Sequence, residues 1–147
     1  MTVWVAADPG LSGGICVIDG RKRAQVYPMP VITIGRRKTH DWVALAALIK
    51  ASNPSVIIVE EVTRPSKLVR HQGFILGVGY GIPVDVATVR PQAWKKWAGL
   101  PVGATKDDSI AKCLEMFPYL SDSITKKSHD GLAEAAIMCA WGKEMFR

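Results

Sequence analysis

The chain has 147 residues, 48% of them hydrophobic and 22% charged, with a net charge of +6. That length and balance predict one domain, residues 1–147, with a real core, and exclude a disordered or fibrous chain. No apolar run nears the roughly 20 residues that span a bilayer, so no membrane role is expected. The chain opens on a strand-like pattern without a basic leader, and Cys16, Cys113 and Cys139 are odd in number and widely spaced. These features predict free buried thiols in a reducing, cytoplasmic setting, not a disulfide framework or a zinc site.

In chain order, Val3 to Ala7 reads as a buried strand stopped by Asp8-Pro9-Gly10. Gly13 to Ile18 is a second β-rich run, closed by the hairpin signal Asp19-Gly20, and Lys22 to Tyr27 makes a third strand. Residues 31–37 read as a loop, after which Thr39 is the expected N-cap of a helix reaching Ala51. Val56 to Glu60 is a continuous aliphatic run, the pattern of a strand covered on both faces. A helix follows from Pro65 or Ser66 toward Val78, weakened by Gly73 and Gly77. Val84 to Val89 is the fifth strand, and Pro91 opens a short helix ending near Gly99. Thr105 caps a helix to about Phe117, and Ser123 or Ser128 begins the last one. Together these elements predict an α/β fold, a mixed sheet with helices on both faces.

Four acids stand at the ends of the most apolar segments: Asp8, Glu60, and the pair Asp130 and Glu134 around Leu132-Ala133. A carboxylate among aliphatics is costly unless paired, hydrogen-bonded or bound to a metal. Asp8 and Glu60 end strands expected to be neighbours. Asp130 and Glu134 are four apart, hence on one helix face about 6 Å apart at Cβ. Convergence of all four would suit two Mg2+ or Mn2+ ions, which activate water and stabilise the departing oxygen of a phosphodiester. The basic clusters 21–23, 36–38, 64 with 67 and 70, 95–96 and 126–127 favour a phosphate polymer over a plain solvated surface.

These acids sit in Ala7-Asp8-Pro9-Gly10 with Ser12-Gly13-Gly14, Ile58-Val59-Glu60-Glu61-Val62, and His129-Asp130-Gly131-Leu132-Ala133-Glu134-Ala135-Ala136. In these motifs, whose order and spacing cover nearly the whole chain, the sequence resembles the RuvC family of Holliday junction resolvases, within the ribonuclease H-like superfamily. The resemblance implies a ribonuclease H-like five-stranded sheet, order 3-2-1-4-5 with strands 1–3 antiparallel, and a homodimer that cuts opposing strands of a four-way DNA junction. It implies that Asp8, Glu60, Asp130 and Glu134 are the catalytic, metal-holding acids. It further implies that Lys106, at the start of the penultimate helix, and Lys95, in Pro91-Gln92-Ala93-Trp94-Lys95, neutralise phosphate charge or assist the leaving group. The four-residue gap ending in glutamate resembles phage-type members more than cellular bacterial enzymes, whose last acids are three apart. Thr63-Arg64-Pro65 stands where the cellular enzymes carry a stacking aromatic, so no wedge is carried over.

Competing readings remain open at this level. Asp8-Pro9-Gly10 is also a common turn, and Asp130 is also a helix-start acid favoured by the dipole. Strand alternation lets only one of Glu60 and Glu61 face the site, and Glu61 is expected to pair with a lysine. His129 is a secondary candidate, His40 and His71 carry no motif, and most tryptophans read as core. The glycines from 77 to 81 lack the lysine and hydroxyl of a P-loop and read as close helix packing. The rival functions are a nuclease for RNA–DNA hybrids or flaps, a non-catalytic branched-DNA-binding module, and, last, a fragment of a sugar-kinase-like ATPase.

Overall fold

The computed structural model describes residues 1–21, 23–64 and 66–147. Three strands, β1 (Trp4–Ala7), β2 (Gly14–Ile18) and β3 (Ala24–Pro28), form an antiparallel meander. The expected start of the third strand, Lys22, lies outside the described residues, and pairing begins with Ala24 opposite Ile18.

Where a loop is expected over 31–37, the chain makes a hairpin, β4 (Val31–Ile34) and β5 (Arg37–His40). The physical reason is local: Val31 to Ile34 are all β-branched, and Gly35 takes φ +62° at the first position of a two-residue turn. Thr39 is therefore a strand residue. Asp41 caps helix α1 (Trp42–Ala51) instead, accepting the Ala44 N–H at 3.0 Å.

Strand β6 (Val56–Glu60) runs parallel to β1, and β7 (Asp85–Val89) parallel to β6. The five-stranded order is β3-β2-β1-β6-β7. It differs from the expected 3-2-1-4-5 because the unexpected hairpin, a separate two-stranded sheet, precedes the fourth sheet strand in the chain.

Helix α2 (Lys67–Tyr80) follows β6, with Ser66 as its N-cap; Pro65, the other expected start, lies outside the described residues. Helices α3 (Pro91–Trp97), α4 (Lys106–Met116) and α5 (Asp130–Met145) complete the chain. A capping box joins Thr105 and Asp108 at the start of α4, where the sequence predicts a cap. The last helix begins at Asp130, not at Ser123 or Ser128, because two short 3-10 turns (Pro118–Asp122 and Lys127–His129) take up the intervening chain.

Alternation along the central strands splits the core in two. Trp4, Ala6 and Ile58 pack with α5, Trp94 of α3 and Cys113 of α4, whereas Val5, Ala7, Ile57 and Val59 pack with Leu45 and Ile49 of α1 and Ile75 of α2. Nine of the sixteen residues of α5 are buried, alanines among them, so this helix lies flat against β1 and β2. The three cysteines are buried and free. Close packing accounts for Gly79, where an added Cβ would meet Val86 at 2.9 Å, but Gly73 and Gly77 face open space. Among the described residues no helix is long and apolar enough to cross a membrane.

Candidate functional site

The parallel register pairs Ala7 with Val59, so Asp8 and Glu60 leave adjacent strands side by side at one end of the sheet. The third contributor, α5, reaches this end through glycines. Gly13 and Gly131 form a β-bridge, and a Cβ on Gly131 would meet the Ser12 carbonyl at 2.6 Å. A Cβ on Gly14 would meet the Gly131 carbonyl and Leu132 at 2.9 Å. Only glycine permits so close an approach of two backbones. It sets Asp130 and Glu134, one helical turn apart, against the turn that carries Asp8.

Each carboxylate has protein partners. Asp8 accepts the Gly10 N–H at 3.3 Å, and Glu60 accepts the Trp94 indole N–H at 2.9 Å. Glu134 accepts the Ser109 hydroxyl at 3.0 Å and lies 3.6 Å from Lys95 Nζ. Asp130 lies 3.3 Å from Lys106 Nζ. Glu61 turns away and pairs with Arg90 at 3.5 Å, an arginine where a lysine is expected. His129 uses Nδ1 to accept the Thr125 N–H at 3.2 Å, a structural role.

The electrostatics show that the acids feel one another. Burial first, then the charges of Glu134 and Asp130, push Asp8 up to about 6 against the Gly10 N–H and Lys95. Burial, then Asp8 and Glu134, push Glu60 up to about 7 against the Trp94 N–H and Lys95. Desolvated, mutually repelling oxygen donors fit a hard divalent cation. Among the described residues no three His, Cys, Asp or Glu side chains close around a single point. Glu60, Asp130 and Glu134 are held instead by Trp94, Lys106, Lys95 and Ser109, and cation binding would exchange those contacts.

Two of these partners escape a reading of the sequence. Trp94 is fully buried and reads as a core residue, and Ser109 is one of few buried polar residues. The only signal is position: Trp94 precedes Lys95, and Ser109 follows the Thr105 cap by one helical turn. His40 carries no motif either, although it is buried and its Nε2 bonds the Pro9 carbonyl beside Asp8 at 3.0 Å.

No protein-family model matches the chain, and no curated protein matches it in sequence. Solved structures do match it. The RuvC protein of T. thermophilus in complex with a Holliday junction substrate superposes with a TM-score of 0.63 at 16% identity, covering 99% of this chain and 97% of that one. The Holliday junction resolvase of fowlpox virus gives 0.62 at 16% identity, over 99% and 100%. Its complex with substrate Holliday junction DNA gives 0.58 at 18%, over 99% and 100%. The chain shares the fold of these resolvase structures, a five-stranded mixed sheet with helices consistent with a ribonuclease H-like fold.

Proposed function

We propose that this chain is a divalent-cation-dependent endonuclease that resolves four-way DNA junctions by paired, symmetric nicks. The observation that carries the reading is the meeting of Asp8, Glu60, Asp130 and Glu134, from β1, β6 and α5, at one end of a resolvase-type sheet. Mg2+ or Mn2+, two ions by expectation, would be held by these four acids and would supply Lewis-acid activation of water and of the departing 3′ oxygen.

The chain's own residues do the rest. Asp8 and Glu60, raised to about 6 and about 7, would be ionised where a cation binds and would then be placed to accept the proton that the attacking water loses. The Trp94 N–H orients Glu60, and Ser109 orients Glu134. Lys95 and Lys106, which pair with Glu134 and Asp130, would be the cations nearest the scissile phosphate and would offset its charge. In-line attack of water on phosphorus breaks the P–O3′ bond, leaving a 5′-phosphate and a 3′-hydroxyl that takes the proton.

Paired cuts need paired sites, which a two-fold homodimer supplies. An open face of α2 supports this: Val69, Gly73, Gly77 and Tyr80 recur at helical spacing, with both side chains exposed and both glycines uncrowded. The reading treats residues 1–147 as one nuclease domain acting in the cytoplasm, a setting the free thiols support.

The deciding test is cleavage of a synthetic four-way junction with and without Mn2+, beside a linear duplex and an RNA–DNA hybrid. Metal-dependent symmetric nicking of the junction alone is the expected result. Preferential cutting of the hybrid would transfer the chain to the ribonuclease reading.

A further inference from the structure

Two basic clusters that are distant in sequence face each other across a cavity of about 720 Å³. Arg37 and Lys38 come from the β4–β5 hairpin, and Lys67 and Arg70 from the first turns of α2. All four are exposed, and none forms an ion pair among the described residues. Trp42 and Phe74, with ring centroids 4.2 Å apart, form the apolar floor.

This groove is tied rigidly to the carboxylate centre. Leu11, three residues beyond Asp8, is part of its wall. His40, the last residue of the hairpin, bonds the Pro9 carbonyl at 3.0 Å. The His40 ring stacks on Trp42 at 4.7 Å and meets His71 of α2 edge-on at 4.5 Å. One aromatic column thus joins the hairpin, α1, α2 and the Asp8 turn. Four acids at the centre repel a phosphate polymer, so a strand entering it gains from unneutralised cations just outside.

We infer that the groove between the β4–β5 hairpin and α2 seats the phosphate backbone of a DNA duplex arm beside the carboxylate centre. This seat positions the arm and reads no sequence. The inference rests on the proposed function for its choice of DNA over an acidic protein surface.

The test is fluorescence anisotropy with the full chain in EDTA, titrating a linear duplex and a four-way junction over a salt series. Lys38→Gln with Arg70→Gln is compared with the wild type, with Lys67→Gln as a second variant and Lys50→Gln as a control away from the groove. The double variant should bind both DNAs of order tenfold more weakly, and its log–log salt slope should fall by about 0.9 for each phosphate left without its cation. Thermal melts identical to wild type would exclude misfolding, and Lys67→Gln should reproduce a smaller loss of affinity. Unchanged affinity and slope in both variants, or a wild type that ignores duplex DNA, overturns the inference. Equal competition by polyglutamate and duplex overturns it in favour of an acidic protein partner. A groove-dependent salt slope in a wild type that cuts no junction would keep the groove and reject the resolvase reading.

Discussion

The indole N–H of Trp94 donates to Glu60 Oε2 at 2.9 Å, and the next residue, Lys95, reaches back to Glu134 at 3.6 Å with its ammonium 5.1 Å from the Trp94 ring centroid. One short helix therefore steers two of the four acids. Trp94→Phe keeps an aromatic ring but removes the donor that favours the ionised form of Glu60. The acidic limb of the pH–rate profile should move to higher pH, with a stability loss of about 1–3 kcal/mol for the unsatisfied group and the missing volume. An unmoved limb would show that the bond is only structural.

Asp8→Asn and Glu60→Gln should each lower cleavage by at least about a hundredfold while junction binding survives. Both remove a repelling, desolvated charge, so the metal-free variants should melt above wild type at pH 8. Single-turnover cleavage with parallel melts measures both effects. Retained Mn2+-dependent cutting would reject these residues as ligands.

Stability of the metal-free protein should fall as pH rises. Asp8 is raised from 3.8 to about 6 and Glu60 from 4.5 to about 7, so between those values the folded state binds more protons than the unfolded one. The slope of unfolding free energy with pH is then negative from about pH 4 to pH 7. Mg2+ or Mn2+ should reverse the trend at pH 8, contributing about 2.7 kcal/mol at a hundredfold excess over Kd, and do little at pH 5. Denaturant melts with and without cation at the two pH values decide it.

Gly131→Ala should cost more activity than its size suggests. The added carbon would sit 2.6 Å from the Ser12 carbonyl, so α5 must shift away from the Asp8 turn. The expected outcome is a stability loss of about 1–3 kcal/mol and a fall in cleavage larger than that loss explains. Gly77→Ala, where an added carbon meets nothing within 4 Å of the same chain, tests the open face of α2 instead. Normal folding with weakened self-association, read by sedimentation, is expected there.

Lys106→Ala should leave stability nearly untouched, because the lysine is 61% exposed and an exposed ion pair contributes about 0–1 kcal/mol. Loss of cleavage without loss of folding would assign Lys106 to the phosphate. An activity equal to wild type would remove it from the site.

The five sheet strands, the division of the core between two faces and the candidacy of four acids at the ends of apolar segments are legible in the residues alone, because periodicity and misplaced charge are local properties that survive without coordinates. So is the cap at Thr105, which depends on a neighbour three residues away, whereas the start of α2 is read only as Pro65 or Ser66 and the structure makes Ser66 its N-cap. Residues 31–40 carry a local signal of the same kind, four β-branched residues followed by Gly35, which the expected loop and Thr39 cap pass over, and the strand count shifts with the hairpin. Which groups hold the acids is a matter of packing. Trp94 to Glu60 spans 34 residues and Ser109 to Glu134 spans 25, and the partner of a buried charge is whichever donor the packing of α3, α4 and α5 brings within reach. The groove between hairpin and α2 belongs to the same class, since two basic clusters some thirty residues apart become one surface only when β5 and α2 are set side by side.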